Sequence, residues 1–80
     1  MSAFTVRYFA ILREQAARES ESVESAAGTP ALLFDELKAR HGFTVAQSSL
    51  KVVVNEDFVE WTHPLRPGDE VVFIPPVAGG

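Results

Sequence analysis

The last six residues, Pro75-Pro76-Val77-Ala78-Gly79-Gly80, carry the clearest chemical prospect in this 80-residue chain. At an average glycine usage of about 7 %, a glycine pair at one given place arises by chance in roughly one chain in 200. The order of the parts sharpens that signal. An apolar run, Val71-Val72-Phe73-Ile74, is followed by two prolines and then by residues of shrinking size. Proline fixes φ, offers no N–H and restricts the residue before it, so Pro75 and Pro76 are expected to end ladder pairing and hold an extended exit from the body. Gly79 and Gly80 lack Cβ, so another protein's backbone can close around them while the Gly80 α-carboxylate stays open to attack. The expectation is an acyl group offered to other proteins; the alternative is an ordinary frayed end.

A carboxylate is a poor acyl electrophile, because its negative charge repels nucleophiles and oxide leaves badly. It needs activation. The chain has no G-x-x-x-x-G-K-[ST] loop, so an activating nucleotide has to be bound by a partner. It also has no cysteine: no disulfide, no thiolate metal site, and no thiol to carry a persulfide or a thioester. Any sulfur it handles must sit on the C-terminus. His41 and His63 with Asp57 or Asp69 could be read as an acid/base or metal set, but two histidines in different segments show no ligand spacing, and no metal is expected. Tyr8 and Trp61 read as core. No Ser/His/Asp arrangement stands out, so no catalytic residue is assigned.

The elements that must position the tail fit one small domain, residues 1–80, with an extended tail over 75–80. A chain of this length buries about 60 % of its unfolded surface, which leaves room for one core and no enclosed substrate pocket. With 46 % hydrophobic and 22 % charged residues it reads as soluble globular material, and no apolar run approaches the roughly 18 residues of a membrane span. Met1-Ser2-Ala3-Phe4 lacks the basic region and apolar stretch of a signal peptide, so a cytoplasmic location is expected. A net charge of −4 without a Lys/Arg cluster argues against nucleic acid.

Alternation of Phe4, Val6 and Tyr8 with Thr5, Arg7 and Phe9 predicts a strand over residues 3–9. Residues 10–17 predict a short helix or turn, and the charged stretch 18–25 predicts at most an edge strand guarded by its charges. Thr29 as cap, Pro30 at the first position, Leu33, Phe34 and Leu37 at helical spacing, Glu36 facing Arg40, and Gly42 as stop predict the one full helix. Lys51–Val54 and residues 58–61 predict a hairpin around Asn55-Glu56-Asp57. Pro67-Gly68 suits a type II turn into a last strand, residues 70–74. This is an α+β chain: about five strands in a mixed sheet, with one main helix on one face. Strand parity adds a surface. Phe9 shares a face with Arg7, Phe58 with Glu60, and Val72 and Ile74 with Glu70; if the charges mark the solvent side, these four apolar residues form a docking surface near the tail. Coverage by loops, or scattered single exposures, is the alternative.

The element order with its Gly-Gly end resembles the ubiquitin-like β-grasp family. More narrowly, Val54-Asn55, His63-Pro64-Leu65, Gly68-Asp69-Glu70-Val71 and Pro75-Pro76-Val77-Ala78-Gly79-Gly80 are similar to the small, sulfur-carrying subunits of molybdopterin synthase, in the ThiS/MoaD group of carriers. The resemblance implies a chain that is a co-substrate and not a catalyst. In this reading an E1-like adenylyltransferase uses ATP to adenylate Gly80, a persulfide donor converts the adenylate to a thiocarboxylate, and the tail from Pro75 to Gly79 inserts into the large synthase subunit. Two small and two large subunits make a heterotetramer, and the sulfur becomes part of the molybdopterin dithiolene. The carrier itself binds no cofactor. Sulfur carriage for thiamine, tRNA thiolation or cysteine synthesis, protein modification through isopeptide bonds, and a plain interaction module are the other functions the same ending allows.

Overall fold

The alternating apolar residues Phe4, Val6 and Tyr8 are buried on one face of strand β1, Ser2–Tyr8, while Ala3, Thr5 and Arg7 face out. The computed structural model describes residues 1–75. Helix α1 spans Ile11–Ala16 and strand β2 Ser20–Ser25; helix α2 runs Pro30–His41; a short 3₁₀ turn, Gln47–Ser49, leads into strands β3, Lys51–Val54, β4, Asp57–Val59, and β5, Glu70–Ile74. The strands form one sheet in the order β2-β1-β5-β3-β4. β1 and β5 run parallel and every other pair is antiparallel, which gives the mixed ubiquitin-like β-grasp sheet the sequence predicts.

Local chemistry explains most boundaries. The Thr29 hydroxyl accepts from the Leu32 N–H at 3.3 Å, Pro30 needs no donor at the first helical position, and Gly42 closes α2 in the left-handed region. Leu33, Phe34 and Leu37 lie fully buried against the sheet. Phe34 is the hub of the core: its ring stacks on Phe43 and meets Trp61 and Phe73 edge-on. Gly68 has φ +87° at the third position of the expected turn, closed by Asp69 N–H donating to Arg66 C=O at 3.1 Å. That turn is sewn to β1 by Gly68 N–H to Ala3 C=O and Thr5 N–H to Asp69 C=O.

Several details differ from the sequence reading. The second hairpin strand is Asp57–Val59 and not residues 58–61, because Asn55 and Glu56, both at positive φ, make the turn by themselves and Asp57 already pairs with Val54. The first strand ends at Tyr8, not Phe9, because Phe9 opens a turn whose Leu12 N–H donates back to the Phe9 carbonyl at 3.1 Å. The stretch 18–25 does form an edge strand, yet only some of its charges guard the edge, since Glu21 turns inward. Residues 43–50, to which the sequence reading assigns no element, bring Phe43 and Leu50 into the core.

Candidate functional site

The tail grows out of the middle of the sheet. β5 is flanked by β1 on one side and β3 on the other, with Tyr8 paired to Phe73 and Lys51 to Ile74. Pairing with β1 as far as Phe73 and with β3 as far as Ile74 gives the exit a fixed starting point. Pro75 is buried, so it belongs to this root. The candidate residues Pro76, Val77, Ala78, Gly79 and Gly80 lie outside the described residues.

Around the root, the four residues expected to form a docking surface are placed unequally. Phe58 is 72 % exposed and Phe9 47 %, both far above what a core phenylalanine shows, and Ile74 is half-buried. Val72 corrects the parity reading. It does face away from α2, but it is only 9 % exposed, because strands on both sides place Arg7 and Val53 beside it. The register lines up Arg7, Val72, Val53 and Phe58 across four adjacent strands, so Val72 floors an apolar row on the outer face. Val53, half-buried in that row, was missed by the sequence reading; strand parity, which puts it on the same face as Lys51, was its available signal. Arg7 and Glu70 approach to 3.8 Å at the charged end of the row, and both are too exposed for that pair to add much stability.

On the opposite, helix-facing side, a polar cluster sits beneath the end of β1. The Tyr8 hydroxyl donates to Glu21 Oε2, and the same oxygen lies 2.6 Å from His41 Nε2 in the last turn of α2. Arg18 Nη1 reaches the other carboxylate oxygen at 3.4 Å. The Glu21 side chain is 9 % exposed and that of His41 13 %, so this is a largely buried bridge from the edge strand to the helix. Burial alone would raise the Glu21 pKa, but hydrogen bonds from Tyr8 and His41, with the nearby His41 and Arg18 charges, outweigh it and hold the carboxyl below the ordinary glutamate value. The Tyr8 hydroxyl moves the other way: burial, then the hydrogen bond to Glu21 and its negative charge, push it well above the usual tyrosine range. A second tie between the same elements runs from Ser25 Oγ to Glu36 Oε1 at 2.7 Å, and Glu36 in turn meets Arg40 at 3.2 Å, as its spacing predicts. Sequence reading set His41 aside as a metal ligand and took Glu21 as one of the charges guarding an edge strand; neither periodicity nor motif signals that they meet.

The remaining histidine, His63, lines an open-sided cleft of about 850 Å³ with Leu50, Val52, Val59, Trp61 and Pro64, beside the β4 edge. Among the described residues no group of three or more His, Asp or Glu side chains could hold a metal ion. Nor is any helix among them long and apolar enough to cross a membrane.

Comparison with known proteins finds relatives along nearly the whole chain. The ThiS family matches residues 6–80. The molybdopterin synthase sulfur carrier subunit of Escherichia coli strain K12 is 35 % identical over 78 residues, covering 94 % of this chain and 96 % of that protein. The human protein of the same name is 34 % identical over 80 residues, covering 94 % of this chain and 91 % of its own. A solved Pyrococcus furiosus structure, named provisionally as a molybdopterin converting factor, subunit 1, superposes with a TM-score of 0.79 at 29 % identity and covers 96 % of this chain and all of that one.

Proposed function

The chain belongs to the ThiS family, and from that premise we propose that it is the sulfur carrier subunit of a molybdopterin synthase, with the Gly80 carboxylate as its working group. The observation that carries this reading is the match, over nearly the whole chain, to carrier subunits of that name, joined to a sequence that runs from the central strand β5 through Pro75-Pro76-Val77-Ala78 to a Gly-Gly end. The chemistry follows from the tail. A partner adenylyltransferase binds ATP, and the Gly80 carboxylate attacks its α-phosphate, releasing pyrophosphate and leaving an acyl-adenylate. The terminal sulfur of a donor persulfide attacks the acyl carbon and AMP departs. A thiol then cleaves the resulting acyl disulfide, becoming oxidised as the Gly80 thiocarboxylate is released. The loaded tail enters the large synthase subunit and gives up its sulfur there, and hydrolysis returns the free carboxylate. In this scheme the carrier contributes the Gly80 carboxylate on a slender tail, while its partners in the cytoplasm supply the ATP, the persulfide sulfur and the catalytic groups, with two carriers and two large subunits per assembly.

Phe9, Phe58 and Ile74 are the docking contacts of this proposal, with Val72 and Val53 as the floor between them. Small tail residues suit a narrow active site, since Gly79 and Gly80 let the partner's backbone approach without a clash. Intact mass spectrometry after incubation with an adenylyltransferase, ATP and a persulfide donor tests the reading. The expected product is the chain with one oxygen exchanged for sulfur at Gly80. An unchanged mass under conditions that load a known carrier would sink the proposal, and a chain found linked to target lysines would reassign it as a modifier.

A further inference from the structure

The turn that follows β1 is built against the usual preferences of its residues. Ala10 has φ 51° and ψ −127°, the mirror-image conformation that the second position of a type II′ turn requires and that glycine normally supplies. The turn is formed nonetheless, with Leu12 N–H donating to the Phe9 carbonyl at 3.1 Å and Glu14 N–H to the Ala10 carbonyl at 3.1 Å. A residue in such a region persists only where its surroundings hold it there. Two anchors do so. Downstream, the Leu12 side chain is fully buried. Upstream, Tyr8 is 1 % exposed, its N–H donates to Glu19 C=O at 2.9 Å, its hydroxyl donates to Glu21, and its ring meets His41 and Phe43 edge-on. Between these anchors lies Phe9, its ring half in solvent, one residue beyond the point where β1 pairs with Phe73 of β5.

An exposed aromatic ring on a strained turn, clamped from both sides and set beside the exit of the tail, is a preorganised contact. We propose that the Tyr8–Glu21–His41 cluster and the strained Ala10 together form a positioning device that fixes Phe9 for docking of the large synthase subunit. This rests on the carrier reading above and adds to it the residues that aim the contact. A side chain held in its bound orientation avoids the ordering cost that a mobile one meets on association.

Three variants test the device: Ala10→Gly relaxes the turn, and Glu21→Gln and Tyr8→Phe loosen the upstream anchor. Ala10→Gly is expected to unfold at a higher temperature than the parent chain, yet to bind the purified large subunit about fivefold more weakly, in line with lost preorganisation. A purely structural role would move stability and affinity together, so this opposition is the diagnostic readout. Backbone ¹⁵N relaxation on the free chain should show faster motion at residues 8–11 in Ala10→Gly and in Glu21→Gln. Affinity of Ala10→Gly unchanged from the parent, or unaltered relaxation in the variants that fold, overturns the device. If the parent chain itself fails to bind the large subunit, the carrier reading falls, and relaxation still decides whether the cluster and Ala10 hold Phe9.

Discussion

Tyr8 is the only tyrosine in the chain, so its ionisation can be followed without interference. An unfolded tyrosine loses its proton near pH 10, while the buried Tyr8 hydroxyl keeps its proton to higher pH. Stability from this group is therefore complete below about pH 10 and is lost as the pH rises beyond it. Phenolate absorbance is expected to appear only together with loss of the native circular-dichroism signal, and Tyr8→Phe should remove this share of alkaline unfolding. Glu21 has the opposite sign. Its folded pKa is depressed, so its contribution is complete above the unfolded value of about 4.3 and drains away as the pH falls through the lower folded value. Urea midpoints measured from neutral to acid pH should fall less steeply for Glu21→Gln than for the parent chain; equal slopes would show that the carboxylate has no net role in acid stability. These effects were not legible in the sequence, where Glu21 is one of several charges in a polar stretch.

Among the elements, the helix ends are where sequence and structure agree most closely for α2 and least for α1. α2 has a Thr cap, a first-turn Pro and a Gly stop, all local signals read from neighbouring residues. Thr29→Ala should cost about 1 kcal/mol, read from the thermal midpoint, because it leaves the Leu32 N–H without its side-chain acceptor. α1 is only six residues long and ends at Ala17 with φ 59° and ψ 30°, a left-handed position that glycine fills without strain. Ala17→Gly is expected to stabilise by roughly 0.5–1 kcal/mol, contrary to the penalty that glycine carries inside a helix. A fall in the midpoint would mean that Ala17 is held by contacts stronger than its backbone preference. What places this short helix is tertiary: Leu12 and Ala16 are buried, and Gln15 exchanges two hydrogen bonds with Thr44, its Nε2 donating to the hydroxyl at 2.9 Å and its Oε1 accepting from the backbone N–H at 3.1 Å.

For the whole molecule, the scaffold and its acyl end are expected to be separable. Deleting Gly79 and Gly80 should abolish sulfur loading as read by mass spectrometry, whereas Phe34→Ala should leave the tail sequence intact but cost about 3–5 kcal/mol by emptying the aromatic hub. Much of this organisation follows from the sequence alone. Alternation sets the core face of β1, capping residues bound α2 and Pro67-Gly68 fixes the turn into β5, because each depends on residues close together in the chain; the proposed reactive end rests on the terminal glycines in the same local way. The tertiary structure alone decided which strands flank which, and with it the fate of single residues. Parity puts Val72 on the outer face, but its cover comes from Arg7 and Val53, distant in sequence and brought alongside by β1 and β3. Glu21 meets His41 for the same reason: periodicity fixes the side a residue faces, while long-range strand pairing and helix packing supply what it faces there.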